Sequence, residues 1–130
     1  MNKWQKDVRE FHLKYGALVQ EKPRIPDEKT KLLRHKLIVE EVCDELLPAI
    51  KNDDIEEVTD AIADSIYVLL GTAVSYGIDL ELVWEAVHES NMKKIGRLRD
   101  DGKVTKPTGW EPPDILSLLK KQGYNNDETV

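Results

Sequence analysis

Apolar residues recur along this chain at the three-to-four-residue step of an α-helix, and no segment sustains the alternation of a strand. Trp4, Val8, Phe11, His12 and Tyr15 share one helical face, and Pro23 and Pro26 end that element in a loop. A second helix is predicted over 29–50, with Pro48 as a kink. The turn Asn52-Asp53-Asp54 supplies a cap for a third helix over 55–76, closed by Gly77. Asp79 caps a fourth, running to about Ile95 with Gly96 as its stop. An irregular stretch with Gly102, Pro107, Gly109 and Pro112-Pro113 follows, and Asp114 caps a short last helix over 115–121. The expected class is all-α, a four- to five-helix bundle. Residues 1–122 are expected to form one domain, with a polar, disordered tail over 123–130.

The third helix holds the chain's most informative residue. Asp64 lies within Ala61-Ile-Ala-Asp-Ser-Ile-Tyr-Val-Leu-Leu70, which is apolar almost all the way round, and an unpaired buried charge is costly. Further acids stand at helical spacing. At about 100° per residue, Glu40, Glu41, Asp44 and Glu45 fall within an arc of about 140° on the second helix. Leu33 and Leu37 lie in or beside that arc, while Ile38, Val42, Cys43, Leu46, Leu47 and Ile50 cover most of the rest, which places Cys43 in the core. On the third helix Glu57, Asp60 and Asp64 share an arc of about 60°, continued by Tyr67 and Gly71. A mid-helix glycine suggests close approach of another helix or a ligand. Acids from two facing helices suit a hard divalent cation such as Mg²⁺ or Mn²⁺.

Three other readings compete. Salt bridges to Arg34, Lys36 or Lys51 would neutralise some acids, but no basic residue lies within two turns of Asp64. A di-iron centre normally needs two Glu-x-x-His pairs, and only Glu85–His88 qualifies, so His88 is expected to be a surface or packing residue. Nucleophilic catalysis lacks a Ser–His–Asp set, and no Walker-type phosphate loop is present.

Composition narrows the picture. The chain has 130 residues and a net charge of −6, which argues against general nucleic-acid affinity. One cysteine fits a reducing, cytoplasmic setting. The longest nearly uncharged run, 65–78, is too short to cross a bilayer, and no apolar leader is evident. Charge is unevenly spread: between Met92 and Gly109 six cations face two acids, a local +4. An acidic body with one basic segment suits a metal-bound polyphosphate.

Two runs carry a resemblance. Arg34-His-Lys-Leu-Ile-Val-Glu-Glu-Val-Cys-Asp44 and Asp60-Ala-Ile-Ala-Asp-Ser-Ile-Tyr-Val68 resemble the all-α nucleoside triphosphate pyrophosphohydrolases, the MazG, dimeric dUTPase and phosphoribosyl-ATP pyrophosphohydrolase-like superfamily. Asn91-Met-Lys-Lys94, Asp101-Gly-Lys103, Lys106-Pro107, Gly109-Trp110 and Pro113-Asp114, with Phe11-His12, look like its MazG-like, dUTPase-related branch. The resemblance implies Mg²⁺-dependent cleavage between the α and β phosphates of a nucleotide, giving a monophosphate and pyrophosphate. It implies metal ligation by Glu41, Asp44, Asp60 and Asp64, with Glu40 on the attacking water. Two positions depart from the family's Glu-x-x-Glu and Glu-x-x-Asp pattern. Asp44 replaces a glutamate, with Glu45 as an alternative, and Ala61 stands where the second motif has its glutamate, leaving Asp60 or Glu57 for that role. Similarity further suggests Asn91, Lys94, Lys103 and Lys106 at the nucleotide. Trp110 lies near its base or sugar, or anchors the tail to the bundle; Tyr67 lines the pocket or packs. A pyrimidine deoxynucleotide such as dUTP or dCTP is the expected substrate, with phosphoribosyl-ATP or broad nucleotide specificity, or a non-catalytic interaction module, as alternatives. A homodimer or homotetramer is expected.

Overall fold

A computed structural model describes residues 1–94 and 98–125. Helix α1 spans Lys3–Tyr15, starting where the Asn2 side chain accepts from Gln5 N–H and stopping at Gly16. Helix α2, Glu28–Ile38, is capped by Asp27. It runs without a break through a π-helical segment, Val39–Leu46, into α3, Leu47–Lys51. Helix α4 occupies Ile55–Tyr76 behind an Asp54 cap. Helices α5, Leu80–Met92, and α6, Ile115–Lys121, follow. Among the described residues there is no strand, only an isolated antiparallel bridge between Leu98 and Val104. The fold is all-α.

Several expected boundaries coincide with these elements because caps set them. Asp54, Asp79 and Asp114 each accept a hydrogen bond from a first-turn N–H, which satisfies one of the donors that a helix start leaves orphaned. Gly77 ends α4 with φ +72°, and a Cβ there would lie 2.0 Å from the Lys22 carbonyl oxygen. Only glycine fits. Helix α5 ends at Met92, before the expected stop; Ile95 and Gly96 lie outside the described residues, as do residues 126–130 of the expected disordered tail.

Helix α4 is the centre of the packing, flanked by α1, by α2 and by the π segment. Val8, Leu70 and Val74 form the buried core, with Val19, Ile66 and Leu80 partly buried against it. Each fully buried aliphatic side chain contributes about 1.5–3 kcal/mol. Polar side chains fix the geometry. Buried Gln5 donates to Ile78 O and accepts from Leu80 N–H, tying α1 to the start of α5. Gln20 donates to the carbonyls of Ser75 and Arg24, and Ser75 donates to Leu18 O, holding the α1–α2 loop against the end of α4.

The α1 face differs from expectation. Val8 and His12 are buried, yet Trp4 is 61 % exposed and Tyr15 65 %. The buried stripe is Gln5, Val8 and His12, because α4 meets α1 on that side, while the described residues leave Trp4 and Tyr15 largely open to solvent. Cys43, expected in the core, is exposed. It lies on the π segment, whose wider turn does not follow the α-helical wheel that placed it inside. By length and composition α4 could cross a membrane, but it carries Asp60 and Asp64 and buries Ala61, Ser65, Leu70, Gly71, Ala73, Val74 and Ser75 within the fold.

Candidate active site

The π segment shapes the site. In an ordinary α-helix the N–H of residue 48 would bond the carbonyl of Asp44, but Pro48 has no N–H and its ring would crowd that carbonyl. The backbone widens ahead of the proline, and Leu47 N–H bonds Val42 O, five residues back. Such wide turns often occur at functional sites. In a wider turn the residue three on from Glu41, Asp44, swings off its face, while the residue four on, Glu45, stays on it.

Carboxylate oxygens of Glu41, Glu45 and Asp64 all lie within 4.8 Å of one another. Glu41 and Asp64 are half-buried and Glu45 exposed. Among the described residues no Lys, Arg or His pairs with any of the three. The salt-bridge alternative therefore fails at the residues it needed to explain. Arg34, one of its proposed cations, points instead at α4, donating to Val68 O and Thr72 Oγ1. Glu41 Oε2 is buried without a hydrogen-bond partner.

Electrostatics follow from this crowding. Burial first, then the hydrogen-bonding and charged carboxyl of Glu45, with Asp64 and Glu40 behind it, push Glu41 up from its ordinary 4.5 to about 7. Asp64 is raised by burial and by the charges of Asp60 and Glu45. Like charges held together and partly desolvated favour protons or a cation. An oxygen-only donor set with one orphaned buried oxygen fits a hard divalent ion.

The other anticipated ligands stand outside this trio. Asp44 and Asp60 are exposed, and Asp60 acts on Asp64 through its charge. Glu40 is half-buried and close enough for its charge to raise Glu41. Glu45 is the residue that periodicity undervalued; the signal was Pro48, which appeared only as a kink.

The basic residues gather elsewhere. Asn91, Lys94, Lys103 and Lys106 line a cavity of about 810 Å³ with Arg99, Val104 and Thr105. Trp110 anchors this region: its indole N–H donates to Ser90 O at the end of α5. The Lys94 and Lys106 ammonium groups lie 5.1 and 4.8 Å from its ring centroid, within cation–π range. Of the two roles weighed for Trp110, anchoring is the one with visible contacts, and they are to α5. Tyr67 packs edge-on against Phe11 at 5.5 Å and also lines an apolar groove between α1 and α4 with Trp4 and Ile62. His88 is exposed.

A family sequence model described as phosphoribosyl-ATP pyrophosphohydrolase matches residues 8–91, which contain all three clustered acids. The chain belongs to that family. It lies within the MazG-like all-α superfamily, as the acid motifs suggested. The family's members are divalent-metal-dependent hydrolases of phosphoric anhydrides acting on nucleotides, and the chain is a pyrophosphohydrolase of this type. The match ends at Asn91, so the basic cavity lies almost wholly beyond it. No match was found among curated proteins.

Proposed function

We propose that the chain is a Mg²⁺-dependent nucleoside triphosphate pyrophosphohydrolase that releases pyrophosphate and a monophosphate. The convergence of Glu41, Glu45 and Asp64 without a cationic partner carries this reading. These three would hold the ion; Mn²⁺ suits the same oxygens. Asp44 and Asp60, anticipated as ligands, would act through water or by charge. The ion would neutralise phosphate charge and polarise the scissile anhydride. Glu40, beside the cluster, would orient the attacking water and accept its proton as the bond between the α and β phosphates breaks.

Asn91, Lys94, Lys103 and Lys106 would bind the phosphates and sugar, with Trp110 holding the two lysines in place. Helix α5 carries Leu82, Trp84 and Val87 exposed and packs chiefly on α6. Trp84 and Val87, three residues apart, share one face of α5, and exposed apolar patches mark interaction surfaces, which supports a homodimer or homotetramer of this helical domain. One cysteine supports a cytoplasmic setting.

The favoured substrate is a pyrimidine deoxynucleoside triphosphate such as dUTP or dCTP, from the resemblance of the 91–114 segment. Phosphoribosyl-ATP is the second reading, favoured by the family match. Pyrophosphate release from each ribo- and deoxynucleoside triphosphate and from phosphoribosyl-ATP, with and without Mg²⁺, separates them. Preferred turnover of dUTP or dCTP is expected. Equal turnover of purines and pyrimidines would remove the pyrimidine assignment, and no Mg²⁺-dependent release from any of them would remove the enzymatic one.

A further inference from the structure

Arg34 is buried, 6 % exposed, at the crossing of α1, α2 and α4. Among the described residues no carboxylate pairs with it. Its Nη2 donates to Val68 O at 2.7 Å and its Nε to Thr72 Oγ1 at 3.2 Å. Space for the guanidinium exists because position 71 is glycine: a Cβ there would lie 2.5 Å from Arg34 Nη2 and 2.9 Å from His12 Nε2. A buried cation without a counter-charge is a poor device for stability, since an apolar side chain of similar volume usually serves as well or better. Its directional bonds do something an apolar contact cannot. They fix how far one helix slides along another.

The place where they act is specific. Arg34 is seven residues before Glu41, about two turns, and Val68 is one turn beyond Asp64. Among the described residues, the side-chain hydrogen bonds joining the α2–π segment to α4 are these two and Ser65 Oγ to Glu41 O at 3.4 Å. We propose that Arg34 is a positioning residue that sets the register of the α2–π helix on α4, and with it the spacing of Glu41, Glu45 and Asp64. The inference rests on those acids being the metal site.

Mn²⁺ binding followed by electron paramagnetic resonance, alongside metal-free melting, tests it on the wild-type chain, Arg34→Met and Arg34→Lys. Methionine keeps the volume and removes the donors. R34M is expected to melt within about 4 °C of wild type or above it, while its Mn²⁺ dissociation constant rises about tenfold or more. R34K, with one donor head in place of a fork, is expected to fall between the two. Should R34M fail to fold, R34K decides by the same titration. Wild-type Mn²⁺ affinity in a folded R34M, or in R34K when R34M does not fold, overturns the positioning role and leaves the metal site standing. No Mn²⁺ binding by the wild type overturns both.

Discussion

Asp44 and Glu45 are neighbours in sequence, yet only Glu45 reaches the carboxylates of Glu41 and Asp64. Neutralising each therefore has a different expected result. Glu45→Gln is expected to lower Mg²⁺-dependent turnover by about 100-fold and Asp44→Asn by less than about tenfold, read from kcat at saturating Mg²⁺. Protonation gives an independent measure of the crowding. Glu41 has its pKa raised by folding, from 4.5 to about 7. The stability it lends to the metal-free protein is thus complete below its ordinary value and lost as pH rises through about 7. His12 runs the other way. Burial, with Arg34 beside it, lowers its pKa against the raising effect of its bond to Leu18 O, so its stabilising contribution is present above 6.5 and lost as pH falls below that. Metal-free melting between pH 5 and 8 is expected to show an alkaline-side decline that Glu41→Gln flattens. Added Mg²⁺ is expected to raise the wild-type midpoint more at pH 8 than at pH 5.5. The approach of acids from two helices was legible in the sequence, since an aspartate in an apolar helix demands partners and the neighbouring helix supplied carboxylates beside it. The choice between Asp44 and Glu45 was not, because a wheel drawn at α-helical pitch assumes the pitch.

At the level of the element, the π segment follows from Pro48, whose missing N–H leaves the α-helical ladder open just after the acids. Replacing Pro48 with Ala restores the missing N–H and lets the ordinary ladder close. Pro48→Ala is expected to raise the melting temperature while raising the half-saturating Mg²⁺ concentration about tenfold, measured by thermal melts and by metal titration of turnover. Retention of wild-type metal dependence would separate the wide turn from the site. Elsewhere the elements were readable from their ends: Asp54 and Gly77 bracket α4, and Asp114 starts α6. The α2–π–α3 run was readable as one helix, but a proline signals disruption without saying whether the chain will bend or widen.

For the whole molecule, the described chain buries a modest core and leaves much apolar surface open. Trp84 is 69 % exposed and Leu82 52 %, on a helix that packs mainly against the short α6. If α5 is an assembly face, Trp84→Asp is expected to lower the oligomeric state seen by light scattering and to reduce turnover at nanomolar protein more than at micromolar protein. An unchanged mass would move the assembly face elsewhere. The exposed side of α1 could not be anticipated from sequence, because amphipathic spacing identifies a sticky face without identifying what covers it.

The exposed thiol of Cys43, the chain's sole cysteine, gives chemistry a handle beside the acids. A maleimide dye would attach at one place only, two residues from Glu41 and two from Glu45. Its emission would then report ion loading directly, without a nucleotide or a coupled assay.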